Sequence, residues 1–340
     1  TLEWCALYEG AYTAETLPEY HPKGYENELL ICRQYDAETG EYIGLRKFSQ
    51  PVNLLDNSDF TNAVNQRGET DGEVLLAYGK DSAYCIDRWI LRGSSVLPTE
   101  SGLIIIKNGF SGITQPIDNP EIARLAGKTV TFAAKVANAT GEYVMMLHSG
   151  SRAAYIGTHY GLTTFSGTGV KLITVTLPEK FPNGYLGCFI GQGNEGVNDD
   201  ELIIEWCALY EGAYTAETLP EYHPKGYGAE LAECQRYFIK LPYNDTLFFG
   251  NSGNASGAGA RLFLPLPVQM RKSPSVTEFT INVCSSKGAT SVTYTPSAAG
   301  KKPNGVTFYG STSSPISQSP TYVVVTAQLA GAPLELSADL

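Results

Sequence analysis

The residues best equipped for chemistry cluster in one Gly-containing segment, SRAAYIGTHYGL at 151–162. It gathers Arg152, Tyr155, His159 and Tyr160, planar hydrogen-bonding groups beside aromatic faces. Such a set suits a polyhydroxylated ligand: rings pack on the C–H face of a sugar while guanidinium and imidazole reach its hydroxyls, and loops carry such groups more often than frames do. The competing reading is a hairpin with exposed amphipathic aromatics. Trp89, in YCIDRW, is a further sugar-stacking candidate, set against the reading of a core tryptophan between two sheets. His148, in EYVMMLHS, reads as a satisfied strand residue. Asp56, Asn57 and Asp59 in LLDNSD offer oxygen donors for a structural Ca2+, but the spacing lacks the D-x-D-x-D-G pattern and the string is good turn sequence.

Catalytic motifs are missing from the sequence. GxSxG, HExxH and the Walker A loop do not occur. The 35 acids offer many carboxylate pairs for glycoside hydrolysis, and the sequence singles out none. GQGNEG at 191–196 is a turn between strands, since no helix follows it. The expectation is a non-catalytic protein without a cofactor, save for the Ca2+ just considered.

The elements that position these residues are strands. Runs at 74–78, 84–91, 102–108, 128–137, 142–149, 170–178, 185–191 and 201–212 are short and punctuated by Gly, Asn, Asp or Pro. Many strands without intervening helices predict an all-β, antiparallel jelly roll or sandwich over 52–227. After Tyr237 a second series of strands predicts a smaller β-sandwich domain over 239–340. Short connecting helices are expected at 26–35 (ENELLICRQY) and 228–238 (GAELAECQRYF), and a hairpin or linker at 36–51.

Residues 3–25 and 205–227 carry the same string, EWCALYEGAYTAETLPEYHPKGY, at an offset of 202. Identity over that length in exposed turns points to duplication of a whole module. Residues 1–35 then read as the end of a preceding module. Thr1-Leu2-Glu3-Trp4 aligns with the strand interior Ile203-Ile204-Glu205-Trp206, which predicts a chain that is the C-terminal part of a longer polypeptide.

Charge is uneven. The net is −11, yet residues 238–340 hold seven Lys/Arg against four Asp/Glu. The acidic larger part argues against a nucleic-acid partner. No apolar run approaches a membrane span. Seven cysteines, without CxxC, read as buried free thiols rather than a disulfide framework.

NLLDNSDFTNAVNQRG, YCIDRW, IIEWCALYEG, AETLPEY and ELAECQRYF together resemble the carbohydrate-binding-module-like jelly rolls of tail fibre and receptor-binding proteins from phages of Gram-positive gut bacteria. LPLPVQMRKSPSVT and the closing LELSADL are similar to the terminal knob-like domain of such proteins. The resemblance implies an extracellular virion component made in the bacterial cytoplasm. Its partners would be host cell-surface polysaccharide, other tail proteins and two further copies of itself, with Leu231, Cys234 and Tyr237 of the short helix packing around a three-fold axis. Two alternatives stand beside it: a structural spacer within a fibre, and an accessory carbohydrate-binding module of a secreted polysaccharide-degrading enzyme.

Overall fold

A computed structural model describes residues 30–35, 42–48, 51–67, 84–92, 95–106, 112–149, 158–181, 184–192, 201–241, 246–252, 259–276, 279–285, 288–294, 301–311, 323–330 and 334–338. The chain divides into two compact units, Thr1–Val52 and Asn53–Leu340. Among the described residues the fold is all-β, with antiparallel sheets and two short helices.

In the first unit, β1 (Leu30–Tyr35) pairs antiparallel with β2 (Tyr42–Phe48), Leu30 opposite Phe48. This corrects the helix expected over 26–35 for residues 30–35; residues 26–29 lie outside the described ones. The β-branched Ile31 favours strand where the second copy has the helix former Glu233.

The second unit opens with NLLDNSDF, which forms turns rather than a strand. It continues through β3 (Tyr84–Ile86), β4 (Trp89–Arg92), β5 (Ser95–Thr99), β6 (Gly102–Ile106), β7 (Gly112–Pro116), α1 (Asn119–Leu125), β8 (Thr129–Ala139), β9 (Tyr143–His148), β10 (His159–Phe165), β11 (Gly169–Thr176), β12 (Gly187–Gly191) and β13 (Glu201–Glu211). One sheet has the order β10-β9-β12-β7-β4-β3 and the other β11-β8-β13-β6-β5. From β6 onward the chain changes sheet at nearly every step, the habit of a jelly roll.

Period-2 alternation drives residues such as Tyr143, Met145 and Leu147, or Cys188 and Ile190, into one core with Trp89, Phe132, Leu103 and Ile204. Each large apolar side chain so buried contributes about 1.5–3 kcal/mol. The expected strand at 84–91 is instead two strands around a tight Asp87-Arg88 turn, with Ile86 opposite Trp89. The strands β5, β7 and β10 and the helix α1 went unforeseen, because their sequences mix Gly, Pro and Thr without clean periodicity. The run at 74–78 lies outside the described residues.

In its second copy the repeated string is a strand and a strap. β13 supplies Trp206, whose ring stacks on Tyr222 at 4.6 Å and 3°. The strap over 212–226 returns across the outer face of the five-stranded sheet. There the Tyr214 amide donates to Thr131 Oγ1 (3.1 Å) and Tyr214 O accepts from Thr174 Oγ1 (3.1 Å). α2 (Tyr227–Gln235) follows.

Beyond it, β14 (Phe238–Leu241), β15 (Thr246–Ser252), β16 (Gly259–Pro265), β17 (Ser275–Val276), β18 (Phe279–Ser285), β19 (Gly288–Tyr294), β20 (Lys301–Lys302), β21 (Gly305–Ser311), β22 (Val323–Ala330) and β23 (Leu334–Ser337) build two further sheets. Their orders are β14-β23-β17 and β19-β18-β22-β15-β16-β21-β20.

Candidate functional site

The three motifs NLLDNSDF, IDRW and CQRYF converge on one buried network. Arg88 sits in the turn of the β3–β4 hairpin at φ 72, a left-handed conformation that costs a non-glycine residue about 1 kcal/mol or more. Its side chain holds it there: Nε donates to Asp56 Oδ2 (3.0 Å), Nη2 to Pro116 O (3.3 Å), and the guanidinium lies 3.5 Å from the Tyr237 ring centroid. Lys225 Nζ approaches the other Asp56 oxygen at 3.5 Å. Burial pushes the Asp56 carboxyl up, but Arg88 and Lys225 outweigh it and hold the group below its ordinary value.

Of the two readings of LLDNSD, turn or Ca2+ donor set, the hydrogen bonds fit the turn. Two side-chain cations already occupy the Asp56 carboxylate. Asp59 Oδ1 instead accepts from Thr61 N (3.2 Å) and Thr61 Oγ1 (2.6 Å), an Asx turn. The Asn57 side chain is spent on Val64 and on the Asp87 carbonyl. Among the described residues no three His, Cys, Asp or Glu side chains gather as a metal site.

Trp89 takes the core reading, and its candidacy as a sugar platform is corrected. It has no exposed surface, its Nε1 donates to Asn57 O (2.8 Å), and it meets Phe60 edge-on at 5.1 Å. A ring so enclosed offers no face to a sugar. Cys234 and Tyr237, expected on an inter-chain surface, point into the chain's own interior at 0% and 4% exposure. Tyr237 Oη donates to Asp118 Oδ2. Leu231 is only partly buried. The helix packs on its own jelly roll because Glu230 Oε2 accepts the Asn57 amide at 2.7 Å. Cys85, Cys188, Cys207 and Cys234 are buried free thiols, and burial pushes Cys85 up to about 12.

Arg152 and Tyr155 lie outside the described residues. His159 and Tyr160 open β10, so they belong to an edge strand rather than a loop. His159 is exposed, while Tyr160 is partly buried edge-on to Phe181 at 5.5 Å, and burial pushes its phenol up. His148 is buried, its Nε2 3.2 Å from Thr114 Oγ1 and its ring beside Tyr185.

Tyr160 stands at the end of an open groove of about 620 Å³ formed by Tyr160–Thr163 and Leu172–Thr176. β10 is the edge of the six-stranded sheet and β11 the edge of the five-stranded one, so the groove is the mouth of the sandwich. Gly161 permits this approach: a Cβ there would sit 2.3 Å from Val175 Cγ2. Leu162 (45% exposed), Leu172 and Ile173 give apolar surface, and Thr163, Thr174 and Thr176 give hydroxyls. No residue of the lining is charged. The alternation of VKLITVT shows which β11 residues share a face, but its juxtaposition with β10 has no sequence signal.

No family model matches the chain, and no curated protein does. Among solved structures, the N-terminal CBM22-1–CBM22-2 tandem domain of Paenibacillus barcinonensis Xyn10C aligns at 9% identity and TM-score 0.25, covering 80% of this chain and 99% of that one. The PBSX exported protein XepA aligns at 12% identity and TM-score 0.19, covering 80% and 95%.

Proposed function

We propose that the second unit binds a neutral cell-surface polysaccharide, without chemical turnover, in the groove between β10 and β11. One observation carries this reading: an open groove of about 620 Å³ whose lining combines an aromatic ring, threonine hydroxyls and aliphatic side chains with no charge. Hydroxyls and carbon faces are what a neutral glycan presents, whereas an anionic ligand would call for Arg or Lys in the wall.

Together with the motif resemblance, this supports a receptor-binding role in a phage tail fibre, in which identical chains multiply weak individual contacts. The ordered junction around Tyr237 favours a second reading, a rigid spacer whose partner binds the host.

The test is binding of the whole chain to purified neutral and acidic wall polysaccharides of Gram-positive bacteria. Tyr160→Ala should weaken neutral-glycan binding about 2- to 10-fold, the worth of one aromatic contact, without lowering the melting temperature enough to unfold the chain. A folded wild-type chain that binds neither polysaccharide sinks the glycan reading and leaves the spacer.

A further inference from the structure

The two sheets of the jelly roll end in four edge strands, β10 and β3 in one, β11 and β5 in the other. An edge strand offers a row of main-chain N–H and C=O groups to any passing strand, and proteins guard such edges with proline, charge, bulges or shortness. Three of the four carry a guard. β3 has three residues, β5 contains Pro98, and β10 shifts register between His159 and Gly161. β11 carries none of these. It runs for eight residues as GVKLITVT, without proline, and pairs with β8 from Gly169 to Thr176 with no shift. Its one charged residue, Lys171, is turned back on its own chain, where Nζ donates to Ser166 O (2.7 Å).

The ladder fixes which groups face outward. The Leu177 amide donates to the Lys128 carbonyl, and the register puts these two residues opposite each other. Hydrogen-bonded and non-hydrogen-bonded pairs alternate along an antiparallel ladder. Val175, Ile173 and Lys171 therefore bond to β8, while Thr176, Thr174, Leu172 and Val170 aim their main-chain groups away from it. The hydroxyls agree: Thr176 with Thr129 and Thr174 with Thr131 lie at 2.9 Å, the close side-chain approach of non-hydrogen-bonded pairs. Among the described residues no main-chain bond reaches the outward groups. Val170, Thr174 and Thr176 are exposed, so the edge is open.

What suits such an edge is another strand, since extended backbone matches donors and acceptors that recur every second residue. β11 of a second copy meets the requirement, because it brings the same open edge. Placed antiparallel about Ile173, two copies set Leu172 opposite the partner's Thr174 and Val170 opposite the partner's Thr176. These are the residues with outward groups, so each facing pair can exchange hydrogen bonds. Ile173 meets its own counterpart, and Lys171 falls opposite the partner's Val175, which keeps the two lysines apart. β-Branched residues line the seam, a favourable cross-strand pairing, and no like charges are opposed.

We propose that β11 is a self-association edge, through which two chains pair antiparallel and join two five-stranded sheets into one. The contact is isologous, so it doubles whatever assembly the chain already forms. It uses main-chain groups and does not rest on the glycan reading. A single strand pair buries less than the roughly 1,200 Å² of a stable complex, so pairing belongs at about 0.1–1 mM.

The test compares the whole chain, without glycan, at micromolar and near-millimolar concentration, by sedimentation and by hydrogen exchange resolved to single amides. The sedimenting mass should double. The outward amides of Val170, Leu172, Thr174 and Thr176 should exchange about two- to fivefold more slowly as the paired fraction rises, while those of Lys171, Ile173 and Val175 are protected throughout. Leu172→Pro removes an outward donor and no bond to β8, a substitution that edge strands tolerate, and should abolish the doubling. If that variant fails to fold, the wild-type exchange pattern decides alone. A mass that stays constant overturns the proposal and leaves the edge to a strand of another protein. Protection of the outward amides at unchanged mass overturns it too, by placing a segment of the same chain there. So does doubling without that protection, or doubling that survives Leu172→Pro with the inward amides still protected.

Discussion

Arg88 is held in an unfavourable backbone conformation by contacts to three other segments of the chain, at Asp56, Pro116 and Tyr237. Its guanidinium is 3% exposed and paired with Asp56. Removing one member of a buried pair costs about 3–5 kcal/mol when the other is stranded, and since Lys225 stays on Asp56 the loss belongs at the lower end of that range. Arg88→Ala should therefore lose stability of that order in chemical denaturation, and a loss under about 1 kcal/mol would show that the pair is not the keystone described here. The pH dependence of this corner has two opposing parts. Asp56 is lowered from 3.8, so its contribution is present above that pH and is lost as pH falls through its folded value. Glu230 behaves oppositely. Burial, partly offset by Lys225, raises it above 4.5, so its contribution is present below pH 4.5 and is lost as pH rises through its folded value. Glu230→Gln keeps an oxygen to accept the Asn57 amide and removes the titration. Its stability relative to wild type should improve steadily as pH is raised from about 4 toward neutrality. Urea melts across that range would contradict the assignment if the difference stayed flat.

At the scale of elements, the groove exists because two edge strands from different sheets come together at Gly161. With the site of a Cβ only 2.3 Å from Val175 Cγ2, Gly161→Val must push β10 and β11 apart. Overpacking of this kind costs about 1–3 kcal/mol. The expected result is a lower melting temperature together with weakened polysaccharide binding, whereas unchanged values of both would mean that the edges are not in register as described. The repeat teaches a related lesson. Tyr227–Gln235 is helical in the second copy, where Glu230 and Cys234 are buried against the jelly roll. In the first copy Leu30–Tyr35 pairs as a strand with Tyr42–Phe48. A helix of nine residues is marginal by itself, so the segment follows its surroundings. With the β-branched Ile31 where the second copy has Glu233, the first copy has less reason to be helical.

At the scale of the molecule, the terminal strands return to the helix. Ala338 N donates to Tyr237 O (2.6 Å) and Arg271 N to Arg236 O (2.9 Å), so residues far apart in sequence close over the end of α2. If the chain serves in a fibre as proposed, sedimentation equilibrium at micromolar concentration should give three times the 36.7 kDa chain mass. Binding to a glycan-coated surface should then exceed that of single chains by roughly 10²–10⁴-fold. A monomer would remove the multivalent mechanism but not the groove. With Cys234 and Tyr237 turned inward, any trimer contact must use other surfaces.

The sequence by itself determined the strand-rich class, the module repeat and most strand positions. These follow from local chemistry: alternation of apolar residues, turn formers between them, and identity between copies. The motif residues were legible as well, but their roles were not. Asp56 reads as a turn residue or a metal donor, and Trp89 as a core residue or a sugar platform, because a sequence shows which groups a residue offers and not which partners claim them. Only the tertiary structure decided that Arg88 and Lys225 take Asp56 and that Phe60 and the Asn57 carbonyl enclose Trp89. It alone made the groove, since Tyr160 and Thr174 meet through the pairing of their strands with β9 and β8 in two different sheets. Such long-range pairing is set by burial summed over the whole core, which no local window of residues contains.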